Sequence, residues 1–230
     1  MNCIALIPAR GGSKRLPGKN IKSVMGKPMI AYPISTALQS KVFERVLVST
    51  EDNEIADIST KCGAEVVPRP SELATDQATV HQVVRHTLAS LERAGELPGC
   101  FCIIYPTAIL LEPRHLVESH ALLSTRNVDC VLAIQKFKPH PFKALSYEKN
   151  VLFPAFPEHF TKKGQQLPSF FAPAGAFHWM RSQAFLDAQG PVWTMSRSGY
   201  ILKSYEAIDI DEHEDLAMAE RLLIAKTDVR

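Results

Sequence analysis

No apolar run in the sequence approaches the roughly 18 residues that a membrane-spanning helix requires, so no membrane partner is expected. At its start it lacks the basic region, apolar stretch and cleavage site of a secretory leader, and the corresponding expectation is a cytoplasmic protein. Internal repeats and low-complexity tracts are missing too, which excludes a solenoid or a tail-like binder. Excess charge of either sign is scarce: 26 Lys and Arg oppose 24 Asp and Glu, a net charge of +2. That balance argues against a nucleic-acid partner or any general polyanion-binding role. The five cysteines, Cys3, Cys62, Cys100, Cys102 and Cys130, have the spacing of neither a zinc site nor a secreted disulfide framework. Since they lie in or beside apolar runs, the expectation is reduced thiols packed in a core. With 230 residues of ordinary composition, one domain spanning 1–230 is expected.

A local absence is sharper. From Arg10 to Lys27 there are six Lys or Arg residues and no acid. This segment follows the apolar run Cys3-Ile4-Ala5-Leu6-Ile7, which reads as a buried strand stopped by Pro8 and two glycines. The stretch Ile7-Pro8-Ala9-Arg10-Gly11-Gly12-Ser13-Lys14-Arg15-Leu16-Pro17-Gly18-Lys19-Asn20 is rich in glycine and cations and almost free of packing side chains. At a strand end such a loop offers unpaired N–H groups and room for a large anion, which suits a phosphate chain. Lys22 and Lys27 read equally well as solvated lysines. Two common phosphate loops are absent: Ser13 stands where a P-loop needs its first glycine and Asn20 where it needs a hydroxyl, and adjacent Gly11 and Gly12 break Gly-x-Gly-x-x-Gly.

Beyond the loop, strand and helix patterns alternate. Helical spacing covers Met29 to Leu38, then Arg45 to Thr50 is extended, Asp52 opens a helix that Gly63 ends, and Ala64 to Val67 is a short strand. A polar loop, Arg69-Pro70-Ser71-Glu72-Leu73-Ala74-Thr75-Asp76, precedes a helix from about Thr79 to Ala94. Cys100 to Tyr105 and Val128 to Ile134 are strands around a helix from Pro113 to Ser124. This alternation predicts a mostly parallel sheet with helices on both faces. It breaks between Lys136 and Pro173, where an inserted arm or lid at about 136–173 is expected rather than a coil. Phe153, Phe156, Phe160, Phe170 and Phe171 need burial there, over the substrate, on a partner subunit or in a satellite of the core. Order returns with a strand at Ala176 to Trp179, extended segments at Tyr200 to Tyr205 and Ala207 to Ile210, and an amphipathic helix from Glu212 to Ala225.

Asp209 and Asp211 alternate along an extended segment, so both carboxylates face one side and repel unless a cation lies between them. Mg²⁺ takes oxygen ligands, commonly one or two carboxylates together with substrate phosphates. Capping the helix that begins near Glu212 is the other use of this pair, and Asp211 can do both.

In this order the motifs resemble the cytidylyltransferases that activate nine-carbon 2-keto sugar acids, the CMP-sialic acid synthetases and their relatives. The resemblance rests on the opening loop with Val48-Ser49-Thr50-Glu51-Asp52, Arg69 to Ala74, Tyr105-Pro106-Thr107, Gln165-Gln166-Leu167-Pro168 and Ile208-Asp209-Ile210-Asp211. It implies a Rossmann-like three-layer α/β/α fold with an inserted dimerisation arm, CTP and an acidic nine-carbon sugar as substrates, Mg²⁺, and a homodimer. It also implies that Arg10, Gly11, Ser13, Lys14, Lys19 and Asn20 hold the nucleotide, with Arg69 and Thr79 near the cytosine. Lys19, Arg10 and Asp211 become the catalytic candidates and Asp209 and Asp211 the metal ligands. A lysine about 4 Å from a phosphate charge is worth on the order of 4 kcal/mol at intermediate dielectric. Tyr105, Lys143, Gln165 and Gln166 fall where the family meets the sugar.

Ala172-Pro173-Ala174-Gly175 replaces the Arg-Pro-Asn-Gly of the sialic acid enzymes, and Gly164 their Arg before Gln-Gln. Ala174 to Trp179 looks instead like the Ala-Gly-Gln-Phe-Tyr-Trp segment of the pseudaminic acid enzymes, with Ala176 in place of the glutamine. Pseudaminic acid is therefore the expected sugar. Sialic or legionaminic acid, or a nucleotide-binding protein without turnover, are the alternatives.

Overall fold

A computed structural model describes residues 2–188 and 192–227. In chain order its elements are β1 (Cys3–Pro8), β2 (Ser23–Val24), β3 (Lys27–Pro28), α1 (Ala31–Ser40), β4 (Arg45–Thr50), α2 (Asn53–Lys61), β5 (Glu65–Pro68), α3 (Val80–Arg93) and β6 (Cys100–Ile104). There follow α4 (Pro113–Thr125), β7 (Cys130–Lys136), β8 (Leu145–Glu148), β9 (Val151–Pro154), α5 (Pro157–Phe160), β10 (Phe171–Arg181), α6 (Ser182–Asp187), β11 (Arg197–Ile201) and α7 (His213–Thr227).

Seven strands form one sheet in the order β11-β7-β10-β6-β1-β4-β5. All neighbours are parallel except β10, which runs antiparallel between β6 and β7. The sheet is apolar on both faces, and the side chains divide with period two. Cys3, Ala5 and Ile7 of β1 and Cys100, Cys102 and Ile104 of β6 join one core with Ile34, Ile55, Leu116 and Leu123 from α1, α2 and α4. Ile4, Leu6, Phe101 and Ile103 join the other, against Val84, Leu88 and Leu91 of α3 and Phe185 of α6. The structure is thus the expected three-layer α/β/α arrangement with a mostly parallel sheet.

The caps follow from the sequence. Asp52 accepts a hydrogen bond from the Ile55 N–H at 3.0 Å and opens α2, while Gly63, at φ +90°, lets the chain leave it. Thr79 and Gln82 form a capping box at the start of α3.

Several expectations are corrected. The strand read at Ala176 to Trp179 runs from Phe171 to Arg181, because the segment leaving the arm finds an open edge on both β6 and β7. In place of the extended segment read from Tyr200 to Tyr205 there is a strand from Arg197 to Ile201, and 207–210 joins no ladder. The loop after β1 is anchored rather than free of packing: Leu16 is fully buried with Ile210, Leu216 and Ala219. Nor are all the cysteines core thiols, because Cys3 and Cys100 are paired in a disulfide. They stand opposite one another on β1 and β6, with Cα atoms 4.8 Å apart, a proximity that sequence spacing does not reveal.

Between β7 and β10, in the stretch expected to form an inserted arm, stands a β8–β9 hairpin whose two turn residues, Lys149 and Asn150, both have positive φ. At its base Phe142 stacks on His159 and contacts Phe156 and Phe170. Tyr147, Leu152 and Phe153 on the hairpin remain 67%, 58% and 52% exposed. Among the described residues no helix is long and apolar enough to cross a membrane.

Candidate active site

A cleft of about 540 Å³ opens at the C-terminal ends of β1 and β6, where parallel strands hand over to loops. It brings together Arg10, Ser13, Lys14, Lys19 and Asn20 from the first loop, Arg69 from the loop after β5, Tyr105 after β6, and Asp209 and Asp211 from the segment before α7. Five cations, Arg15 among them, face three carboxylates, so the cleft favours a ligand of high negative charge.

The first loop is tied down at several points. Gly18 adopts φ +63° and starts a short 3₁₀ turn over Lys19–Ile21. The Asn20 side-chain amide donates to the Arg10 carbonyl at 2.9 Å. A Cβ on Gly11 would lie 2.3 Å from Asp52 Oδ2, so only glycine lets the loop approach the start of α2 this closely. The Gly11 N–H is not open to an anion, however, because it donates to Glu51 Oε1 at 2.8 Å. An anion entering here would therefore meet the loop's side chains more than a nest of amides.

Those side chains already hold carboxylate partners. Asp76 pairs with Arg10 at 2.7 Å and Lys14 at 2.5 Å, and hydrogen bonds from Lys14 and Arg10 hold its carboxyl below the usual range. Asp211 pairs with Arg15 at 2.8 Å and Lys19 at 3.2 Å, while Lys19 also donates to the Ile210 carbonyl at 2.9 Å. A bound triphosphate can replace such carboxylates as the partner of each cation. Arg69 is buried, with one N–H on the Ser49 carbonyl at 2.7 Å and Glu51 3.8 Å from Nε. Its Nε has no hydrogen-bond partner, and the same holds for buried Asn20 Oδ1.

Ile210 points into the cluster beneath the loop, which by strand-like alternation leaves Asp209 and Asp211 in the cleft. Gly175, at φ +61° where the β10–β7 register shifts, lies under Asp209: a Cβ there would be 3.1 Å from its Cγ. Burial, followed by the nearby Asp211 carboxylate, pushes the Asp209 carboxyl up. Asp209 and Asp211 are hard oxygen donors beside a row of cations, a donor set that fits Mg²⁺.

Tyr105 forms another wall, its ring edge-on to His178 at 5.7 Å between centroids. Other sequence-predicted residues are not gathered into the cleft. Thr79 spends its hydroxyl on Gln82, accepting from its N–H at 3.2 Å and donating to its side-chain oxygen at 3.1 Å. Lys143 donates to the Phe160 and Lys162 carbonyls within the arm. Gln165 and Gln166 are exposed there, and Gln166 accepts from the Lys163 N–H at 3.0 Å. Arg15, Glu51 and Asp76 were missed by sequence reasoning. Arg15 was legible in the basic run, Asp76 in the loop after β5 and Glu51 in the Val48 to Asp52 motif, but only the fold shows that Glu51 stands between Gly11 and Arg69.

Residues 4–167 match the family model described as Cytidylyltransferase. A protein of Campylobacter jejuni subsp. jejuni serotype O:2 named pseudaminic acid cytidylyltransferase is 32% identical over 225 residues, 96% of this chain and 96% of its own. A Helicobacter pylori protein, named pseudaminic acid cytidylyltransferase and UDP-2,4-diacetamido-2,4,6-trideoxy-beta-L-altropyranose hydrolase, is 34% identical over 212 residues. The match covers 91% of this chain but only 40% of that relative's length. Among solved structures, CMP:2-keto-3-deoxy-manno-octonic acid synthetase complexed with CTP superposes with a TM-score of 0.74, covering 98% of this chain and 100% of that one. At 13% identity it shows a shared fold.

Proposed function

The chain belongs to the cytidylyltransferase family, and from that membership we propose that it transfers CMP from CTP to the anomeric C2 hydroxyl of an acidic nine-carbon 2-keto sugar, pseudaminic acid, releasing pyrophosphate. The observation that carries this reading is the single cleft in which the cationic loop meets Asp209 and Asp211. The names of the Campylobacter and Helicobacter relatives supply the sugar.

In the reaction the C2 oxygen attacks the α-phosphorus in line, the bond from that phosphorus to the β-phosphate bridging oxygen breaks, and the hydroxyl proton passes to water. No covalent enzyme intermediate is required. Arg10, Lys14 and Arg15 exchange their carboxylate partners for triphosphate oxygens and hold the chain extended. Lys19 sits where negative charge grows on the phosphates, and its hydrogen bond to the Ile210 carbonyl fixes its ammonium in advance. Arg69, buried with an unpaired Nε, is the candidate to hold the nucleotide at its base end. Asp209 and Asp211 would hold Mg²⁺, which when bound supplies charge neutralisation on the phosphates. Tyr105 borders the sugar side. The exposed apolar hairpin of β8 and β9 packs against a second copy of the chain, bringing Lys143, Gln165 and Gln166 toward the partner's cleft.

The test is pyrophosphate release from CTP and Mg²⁺ with pseudaminic, sialic and legionaminic acids in parallel. Release with pseudaminic acid foremost is the expected result. Release with sialic acid alone overturns the sugar, and none with any acid overturns the transfer reading. EDTA should abolish release and added Mg²⁺ should restore it.

A further inference from the structure

Three chemically active side chains meet at the end of the sheet opposite the cleft. Cys3 is the first residue of β1 and Cys100 the first of β6, and they stand opposite each other in the parallel register. His120 comes from α4, on the stripe formed with buried Leu116 and Leu123 that faces this core. Its Nε2 lies 3.3 Å from Cys3 Sγ and 3.7 Å from Cys100 Sγ. One donor atom from each of the three residues lies within 4.8 Å of the other two. The Trp179 ring, 4.7 Å from the imidazole, walls the group on one side. His120 itself is only half-buried.

The imidazole is aimed at both sulfurs at a position where an apolar side chain would continue the stripe. Two sulfurs and an imidazole are the donors that a borderline-soft divalent ion selects and that Mg²⁺ does not.

We propose that Cys3, Cys100 and His120 form a redox-gated site for a zinc-class divalent cation, with the ion bound by two thiolates and one imidazole when the disulfide is reduced. In the gating step two equivalents of a small thiol donate two electrons and two protons. The Cys3–Cys100 bond breaks, each sulfur gains a proton, and the small thiols leave joined as a disulfide. Metal entry then displaces both thiol protons. A water entering beside His120 completes four-coordination, as in zinc sites with three protein ligands. In the return step a small-molecule disulfide takes the two electrons: its S–S bond breaks, it leaves as two thiols, the Cys3–Cys100 bond closes and the ion is released. From Cys3 to the end of β1 at Pro8 is about 16 Å at strand rise, so this site and the Asp209–Asp211 pair are separate.

The experiment uses the full chain, reduced with a phosphine that is then removed, and titrates Co²⁺ as a spectroscopic probe. A thiolate-to-cobalt charge-transfer band should grow to one equivalent, disappear on adding Zn²⁺, and be absent from the oxidised chain. Asp209→Asn should leave the band unchanged, because carboxylate-bound cobalt gives no such transition. Cys3→Ser should abolish it, and His120→Asn should weaken Co²⁺ binding by about tenfold or more. Should Cys3→Ser fail to fold, His120→Asn decides, since its half-exposed side chain can be exchanged without emptying the core. No charge-transfer band in the reduced wild-type chain, or an undiminished band in His120→Asn, overturns the site and leaves a structural disulfide only.

Discussion

In the proposed reaction Lys19 has the closest connection to the developing charge, because its ammonium is held by Asp211 and the Ile210 carbonyl at the mouth of the phosphate cleft. Removing one preorganised donor of this kind costs about 10²–10³ in kcat. Lys19→Ala is therefore expected to lower kcat by that factor with a smaller change in the KM for CTP, read from initial rates of pyrophosphate release. Equal turnover in the variant would remove Lys19 from the machinery. Gly11 carries a steric prediction. Adding a Cβ 2.3 Å from Asp52 Oδ2 must push the loop away from α2 or disturb the cap. Gly11→Ala should cost on the order of 1–3 kcal/mol in urea unfolding and raise the KM for CTP.

Among the elements, the loop after β1 and the segment before α7 behave as one unit, because Leu16 and Ile210 are buried in the same cluster with Leu216 of α7. That cluster sets the distance from the basic row to Asp209 and Asp211. Leu16→Ala, which removes a fully buried side chain, should destabilise the chain by about 3 kcal/mol. It should also weaken CTP binding more than a distant core truncation of equal cost, measured by nucleotide titration. At α3 the hydroxyl of Thr79 is committed to the cap. Thr79→Ala should lose about 1 kcal/mol of stability that Thr79→Ser largely restores. A fall in nucleotide affinity in both variants without loss of stability would instead return Thr79 to the base-binding role that the family resemblance implies.

Across the whole molecule, acid acts through groups far apart in the fold. Burial lowers the pKa of His178 from 6.5 to about 4. The unfolded chain then binds the extra proton first, so stability falls as the pH drops from 6.5 toward 4. Burial pushes Glu112 up, but hydrogen bonds from Lys226 and Arg114 outweigh it and bring its pKa from 4.5 to about 2. Its contribution is complete above 4.5 and is lost as the pH falls toward 2. The urea midpoint should accordingly decline in two stages below neutrality, with His178→Gln flattening the first and Glu112→Gln the second. For the proposed dimer, sedimentation of Leu152→Asp should show a monomer where the wild-type chain sediments as two copies.

Much of this architecture was legible in the chain because each signal is local. The run Cys3 to Ile7 is apolar on both faces and reads as a buried strand, Asp52 opens its helix in sequence, and the basic row from Arg10 to Lys19 marks the cationic side of the cleft. Asp209 and Asp211, one residue apart, had to share a face. What the tertiary structure alone decided are relations between residues far apart in sequence. Register set Cys3 beside Cys100 across 97 residues; packing set Ile210 beneath Leu16; and strand order brought Glu51 between Gly11 and Arg69. Period and propensity act over a few residues, whereas strand order and register follow from burying the whole sheet at once.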